Sequence, residues 1–153
     1  MLFQDCLCFQ LASISRSMAR HYRERIAPYG LTHTQFFLLI ALYEEEGAPL
    51  SALAEKTRLD RPTVTGLVDR LERDGWAMRQ PDLNDRRSYR VFLTPKAQDH
   101  REALMHIYKD VNGRLLERFG EEEWTRFRTL LERLGGERMS TTRADRRWGS
   151  EPG

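Results

Sequence analysis

The stretches Arg61-Pro-Thr-Val-Thr-Gly-Leu-Val-Asp-Arg-Leu-Glu-Arg-Asp-Gly75 and Asn84-Asp-Arg-Arg-Ser-Tyr-Arg-Val-Phe-Leu-Thr94 decide the fold of this chain. The first has a proline suited to a first helical turn, an apolar residue every three or four positions and a glycine at its end, which predicts a helix over 62–74. The second alternates in the manner of a strand over 89–93. A short extended stretch over 76–80 precedes it, so the two strands predict a β-hairpin with an arginine-bearing tip.

A shorter helix is predicted immediately before this segment, over Ser51–Thr57. Only Arg58-Leu-Asp60 separates the two helices, and Asp60 or Arg61 is placed to cap the second. Two helices joined by so short a turn are typical of a helix-turn-helix, and a hairpin directly behind them is typical of a wing. The sequence therefore predicts a winged helix-turn-helix over about Leu50 to Thr94, within a lobe that spans about 31–94.

Longer helices flank this lobe. A stripe of apolar residues predicts a helix over Leu2–Ala27, and Thr32 with Gln35 forms a capping box that opens a second helix. The second helix is apolar on every face over Phe36–Tyr43, which predicts a central, buried position. The stripe on the first helix consists of Leu7, Leu11, Ile14, Met18 and Tyr22.

The C-terminal part continues the helical pattern. Thr94 and Pro95 open a helix that Gly120 ends, and a last helix follows through Leu134. The terminal helices, over 1–30 and 95–134, carry more apolar stripe than one small domain can cover, so they are predicted to mediate dimerisation. We thus expect a mainly α fold with a small β-hairpin wing, a single domain over 1–134 and a disordered tail over 135–153.

Composition and charge exclude several classes of protein. The net charge is only +2, but the segment from Glu55 to Lys96 holds ten Lys and Arg against seven Asp and Glu. No apolar run approaches the ~20 residues that span a bilayer, and the first residues do not resemble a signal peptide, so a cytoplasmic location is expected. The sequence has no phosphate loop, nucleophile elbow or zinc-protease motif, so we expect no enzyme, no cofactor and no metal site.

The predicted DNA contacts follow from the geometry of the motif. The N-terminal residues of a recognition helix meet base edges in the major groove, where arginine can pair with guanine and threonine offers a hydroxyl and a methyl group. A glycine on this helix allows close approach, and an arginine on a wing can enter the minor groove. The candidates are Arg61, Pro62, Thr63, Thr65, Gly66 and Arg70 on the helix, and Asp85, Arg86 and Arg87 on the wing.

The chain resembles the MarR family of bacterial transcriptional regulators over about residues 5–134. The wing signature of that family, Asp-x-Arg followed by a strand ending in Leu-Thr, falls on Asp85, Arg87, Leu93 and Thr94. The stretches that carry the resemblance are 61–75 and 84–94, quoted above, together with Gly30-Leu-Thr-His-Thr-Gln-Phe36 and Leu50-Ser-Ala-Leu-Ala-Glu-Lys56.

The resemblance implies a homodimer that reads a pseudo-palindromic double-stranded operator. It also implies a repressor that a small phenolic or aromatic compound releases, with the ligand between the dimer helices and the DNA-binding lobe. Such residues are also the ones that ordinary core packing would use. The candidate lining residues are Met18, His21, Tyr22, His33, Phe36 and Phe37.

Two alternatives remain open at this point. Cys8, which precedes Phe9, resembles the reactive cysteine of the family's organic-hydroperoxide-sensing branch, and Tyr22 matches one of the tyrosines that hold its thiolate. His33 stands where the second tyrosine is expected. On a continuous helix Cys6 would point to solvent and Cys8 to the flank of the apolar stripe. A winged helix that binds protein rather than DNA is the other alternative.

Overall fold

A computed structural model describes residues 2–85 and 87–136. The chain divides into two compact units, one up to Arg114 and one from Leu115 onward. The predicted role of Arg86 and most of the predicted disordered tail lie outside the described residues. None of the helices in the described ranges combines the length and the apolarity needed to cross a membrane.

Seven α-helices and three short strands make up the described chain. The helices are α1 (Leu7–Ile26), α2 (His33–Glu44), α3 (Leu50–Thr57), α4 (Arg61–Arg73), α5 (Pro95–Asp99), α6 (Arg101–Leu116) and α7 (Glu121–Gly136). The strands are β1 (Ala48–Pro49), β2 (Ala77–Pro81) and β3 (Tyr89–Leu93), and short 3₁₀ turns cover Phe3–Asp5 and Ala27–Tyr29.

The strands form one antiparallel sheet in the order β1-β3-β2. β2 and β3 make the predicted hairpin, with Ala77 opposite Leu93 and Pro81 opposite Tyr89. β1 was not predicted, because two residues are too few to show a strand period; it adds to the free edge of β3 with Ala48 opposite Val91. The helix-turn-helix, α3 and α4, is thus followed by a wing that is anchored to the chain ahead of α3.

Three predicted caps start the helices. Thr32 accepts the backbone N–H of Gln35, whose side chain in turn accepts the N–H of Thr32 at 2.9 Å, so the capping box is confirmed. Asp60 caps α4 by accepting the N–H of Thr63 at 2.8 Å. Thr94 caps α5, with a proline in the first turn as predicted.

The core of the first unit surrounds α2, as predicted. Phe36, Leu39 and Leu42 are completely inaccessible, although they point in different directions around the helix. Trp76, just before β2, is also buried. The neighbours that close this core include Val64, Val68 and Leu71 of α4, Leu53 of α3, Val91 of β3 and Leu104 of α6.

The first helix is shorter than predicted. It begins at Leu7 rather than Leu2, because Cys6 has an extended backbone (ψ 113°). Asp5 accepts the N–H of Leu2 at 3.0 Å, and this bond closes a separate 3₁₀ turn ahead of α1. A segment of only five residues, 2–6, is too short to reveal such a break through its periodicity.

The helix predicted from Thr94 to Gly120 is two helices. It breaks at His100, whose backbone departs from helical geometry (φ −95°, ψ 0°) and whose Nδ1 lies 2.8 Å from the carbonyl oxygen of Lys96. The second piece, α6, ends at Leu116, before Gly120. In the second unit α7 starts at Glu121 as expected, and Phe119 stacks on Phe127 with ring centroids 5.5 Å apart.

Candidate nucleic-acid interface

The two faces of α4 differ sharply in what they carry. The face toward the core is fully apolar, the opposite face presents Pro62 and Arg70 as exposed residues, and Arg61 is exposed at the N-terminal end of the helix. Gly66 lies on the same outward face, and a Cβ added to it would meet no atom within 4 Å. The buried residues of α4 are Val64, Leu67, Val68 and Leu71. Helical periodicity therefore brings the predicted major-groove residues together on one exposed surface.

The two threonines of α4 already use their hydroxyl protons. Thr63 donates to Asp60 Oδ2 at 2.7 Å, and Thr65 donates to the carbonyl oxygen of Arg61 at 2.9 Å. The bond from the Thr63 hydroxyl, with that from its N–H, holds the pKa of Asp60 below its usual value. What Thr63 and Thr65 can still offer to a ligand is their methyl groups and the remaining lone pairs of their oxygens.

A guanidinium from the wing is bound to the recognition helix. Arg79, on β2, donates to Asp69 Oδ1 at 2.7 Å and to the carbonyl oxygen of Thr65 at 3.2 Å, and it also pairs with Glu72. Its side chain is only 19% exposed. Arg79 therefore joins α4 to the wing and is not a free cation. The position of Arg79 in a short extended stretch gives no indication of this role.

The base of the wing holds a second ion pair. Asp82 accepts the N–H of Asn84 at 2.8 Å and the Nε–H of Arg90 at 2.7 Å. The backbone bond is the main reason that the pKa of Asp82 lies below its usual value. Arg90 also donates to the carbonyl oxygen of Gly47, beside β1, at 3.0 Å. Sequence reasoning missed Asp82 and Arg90; the available signal was an aspartate at the start of the predicted polar turn, where its side chain can accept the N–H two residues on.

At the wing tip Asp85 has a structural use. Its carboxylate accepts the N–H of Arg87 at 3.0 Å, and its carbonyl oxygen accepts the N–H of Ser88 at 2.8 Å. Arg87 is exposed. Asp85 thus shapes the turn that presents Arg87. Both residues are among the DNA contacts predicted from the sequence.

Two cationic side chains of α4 are left without carboxylate partners. Within the part of the chain that the structure describes, Arg61 and Arg70 form no ion pair, and neither does Arg87 on the wing. Arg73, by contrast, pairs with Asp74 at 3.0 Å. The outward face of α4 and the wing tip together form an exposed positively charged surface.

Four of the six residues proposed to line a ligand site do meet. Tyr22 of α1 packs against His33, Phe36 and Phe37 of α2, with ring centroids 5.1–5.6 Å apart. Burial raises the pKa of Tyr22 to about 12, and burial followed by the charge of Arg23 lowers the pKa of His33. The rings fill the space between them, as core packing would.

The other two proposed lining residues, Met18 and His21, are exposed on α1. An open cleft of about 340 Å³ lies elsewhere, between α2, α3 and α6. Of the six, only Phe37 reaches it. Its walls are Thr34, Phe37, Leu38, Ile40, Ala41, Glu44, Lys56, Thr57, Leu59 and Tyr108.

Cys6 does not point to solvent as expected: it is partly buried ahead of α1, whereas Cys8 in the first turn is exposed. The prediction assumed a continuous helix, and the break at Cys6 changes the direction of that side chain. Cys8 lies within α1 beside Leu7 and Leu11, which belong to the stripe and are themselves exposed. Tyr22 lies fourteen residues beyond Cys8 on the same helix, roughly 21 Å away at 1.5 Å per residue, so it cannot contact the Cys8 of its own chain.

Comparisons with known proteins agree with this architecture. A model of the "MarR family" matches residues 31–89. The chain is 31% identical over 105 residues to the HTH-type transcriptional regulator SarZ of Staphylococcus saprophyticus, which covers 69% of this chain and 72% of that protein. It is 32% identical over 114 residues to the HTH-type transcriptional regulator TtmR of Methylorubrum extorquens, covering 72% of this chain but only 58% of that relative's length.

A solved structure shows the same fold. The crystal structure of overoxidized AbfR bound to DNA is 27% identical and superposes with a TM-score of 0.70, covering 85% of this chain and 90% of that chain. The sequence matches extend on both sides of the winged helix, and the superposition includes most of the described helices. The chain belongs to the MarR family.

Proposed function

We propose that this chain is a transcriptional regulator that binds double-stranded DNA through α4 and the wing. The observation that carries the proposal is the exposed cationic surface formed by Arg61, Arg70 and Arg87. None of these three arginines forms an ion pair with a carboxylate among the described residues, whereas Arg79 and Arg90 do form ion pairs. The solved structure of AbfR with DNA supports the same use of the fold.

The proposed contacts divide into three kinds. Arg61, with the methyl groups of Thr63 and Thr65 and the open space at Gly66, would face base edges in the major groove. Arg70 lies one turn further along α4, where it would reach a phosphate, and Arg87 would enter the minor groove. Asp85 supports the turn below Arg87 rather than the DNA.

A homodimer is part of the proposal. In the described chain the N-terminal part of the stripe on α1 is uncovered: Leu7 is 52% exposed and Ile14 49%. α7 likewise exposes Leu130 and Leu134. Large apolar side chains in rows of this kind mark a protein interface. Sedimentation at micromolar concentration should give twice the mass of the chain, and a monomer would contradict this part of the proposal.

The experiment that tests DNA binding is selection of duplexes from a random pool, followed by anisotropy titration of the selected duplex. We expect an inverted-repeat sequence, tight binding and a steep loss of affinity with salt, because phosphate contacts release counterions. Equal affinity for unrelated duplexes would reject sequence-specific regulation. Absence of all DNA binding would instead favour a winged helix that binds protein.

We further propose that the chain acts as a repressor that a small aromatic compound releases. The cleft of about 340 Å³ supports this, because its wall includes Leu59 in the turn between α3 and α4 as well as Phe37 and Tyr108. A ligand there would press directly on the turn that places the recognition helix. Calorimetry with a panel of aromatic acids, repeated on Leu59→Trp to fill the cleft, tests the site; no heat and no change in operator affinity would reject it.

A thiol switch at Cys8 is the second candidate, supported by the exposure of that thiol and by the overoxidized state of AbfR. A thiolate in this position could be oxidised by an organic hydroperoxide to a sulfenic acid, with the peroxide reduced to an alcohol. Treated protein should then lose operator affinity, and Cys8→Ser should not. Unchanged affinity with Cys8 still a free thiol by mass spectrometry would reject this switch.

A further inference from the structure

The turn between α3 and α4 contains an unusual backbone conformation. Arg58 lies in the left-handed region, with φ 56° and ψ 30°. It is the one non-glycine residue with a positive φ in the described ranges. Its N–H bonds to the carbonyl oxygens of Ala54 and Glu55, and the N–H of Leu59 bonds to that of Ala54 at 3.1 Å. These bonds close the end of α3 in the pattern for which glycine is the favoured residue.

No side-chain partner among the described residues explains an arginine at this position. Arg58 is exposed, and its side chain makes no hydrogen bond and no ion pair with any residue in 2–85 or 87–136. Lys56, two residues earlier, differs in this respect because it pairs with Glu44 at 3.0 Å and with Glu45. A strained backbone that carries an unpartnered cation points to a use outside the chain.

We propose that Arg58 binds a phosphate of the DNA backbone, a contact separate from those of α4 and the wing. The inference rests on the proposed function. In a helix-turn-helix the first helix crosses the backbone and the N-terminus of the second enters the groove, so the turn between them lies at the groove edge. The guanidinium of Arg58 extends from that turn, two residues before the Asp60 cap, and a guanidinium suits a phosphate geometrically.

A structural role would have a different signature. A cation at the C-terminal end of α3 interacts favourably with the helix dipole, and that effect needs no DNA. Arg58→Gly relieves the left-handed strain but removes the charge. Arg58→Asn removes the charge and introduces a residue that tolerates the left-handed conformation. Arg58→Lys keeps the positive charge but lacks the planar guanidinium group.

The test measures binding of the full-length protein to its selected duplex and to an unrelated duplex, each by anisotropy from 50 to 200 mM salt. Lys109→Gln, which removes an exposed positive charge from α6, is the matched control. We expect Arg58→Gly and Arg58→Asn to lower the salt slope of the proposed dimer by about two phosphates, one from each protomer, which reduces the affinity lost over this range by ~12-fold. Both duplexes should be affected equally, and Arg58→Lys should retain most of the slope.

Thermal unfolding separates this contact from a structural role. Arg58→Gly should raise Tm while it weakens DNA binding, whereas a purely structural arginine would give a variant that binds like the wild type. An unchanged salt slope in Arg58→Gly and Arg58→Asn would overturn the phosphate contact. Loss of discrimination between the two duplexes would also overturn it, since that result indicates base reading. If the wild-type protein binds neither duplex, the proposed function fails, and this contact fails with it.

Discussion

Gly66→Ala should make the protein more stable and a weaker DNA binder at the same time. Gly66 lies inside α4, on the face away from the core, and an added Cβ meets no atom of the described chain within 4 Å. The methyl group therefore costs nothing in the free protein. On DNA, the same outward face is the one that we place against the groove, where the missing side chain lets the backbone approach closely.

The two effects can be estimated separately. Alanine is better than glycine in a helix interior by ~0.8–1.0 kcal/mol, because glycine loses more backbone entropy on folding. In a domain of this size such a gain raises Tm by about 2–4 °C. A methyl group at a tight contact holds the helix away from its base edges, so we expect binding to weaken by about 1–3 kcal/mol, the size of one specific base contact.

Differential scanning calorimetry measures the first effect, and anisotropy with the selected duplex measures the second. The chain offers a matched control in Gly113 of α6, which also has nothing within 4 Å of an added Cβ. Gly113→Ala should raise Tm by a similar amount and leave DNA affinity unchanged. If Gly66→Ala binds the selected duplex as tightly as the wild type, the outward face of α4 does not lie against DNA.

Three further predictions concern the wing and the pH dependence. Arg79→Met should lower the free energy of unfolding by about 1–3 kcal/mol, because it removes the guanidinium from Asp69 and from one oxygen of Glu72, whose other oxygen still accepts the N–H of residue 79; urea unfolding measures this, and an unchanged midpoint would contradict the link between α4 and the wing. Arg87→Ala should weaken binding mainly to duplexes with A·T-rich flanks, by anisotropy, and wild-type affinity at moderate salt would remove the wing contact. The pKa of His33 is lowered on folding, so the unfolded chain takes up a proton first and stability falls as pH drops below about 6.5. Melting from pH 5 to 7 should show a shallower slope for His33→Phe, and parallel curves would exclude His33 as the cause.

The sequence predicts the fold well wherever the helical or strand spacing of apolar residues extends over enough positions. The change from helical spacing in α4 to alternation in β3 identified the winged helix, and capping residues such as Thr32 and Asp60 placed helix starts within a residue or two. Short or irregular features left no such signal. β1 has two residues, and the break at His100 interrupts an otherwise continuous helical pattern.

The candidate DNA surface was predicted less completely, because sequence spacing does not determine which charges pair. Arg70 and Asp74 are four residues apart on α4, a spacing that favours an ion pair. In the structure the carboxylate of Asp74 instead accepts hydrogen bonds from the guanidinium of Arg73 at 3.0 Å and from the side-chain amide of Gln35 at 3.4 Å. Gln35 comes from α2, thirty-nine residues away, so only the packing of α2 against α4 shows that Arg70 stays free.

This competition for carboxylates determines which cations of the lobe stay unpaired. Of the seven acids between Glu55 and Lys96, six accept hydrogen bonds within the chain: Asp60, Asp69, Glu72, Asp74, Asp82 and Asp85. Their bonds hold a helix cap, three ion-paired groups and the wing turn, so each of these carboxylates is tied to the scaffold. The arginines in the described part of this segment that form no ion pair are Arg58, Arg61, Arg70 and Arg87. They lie on the turn, the recognition helix and the wing, which are the parts of the fold that we propose meet DNA.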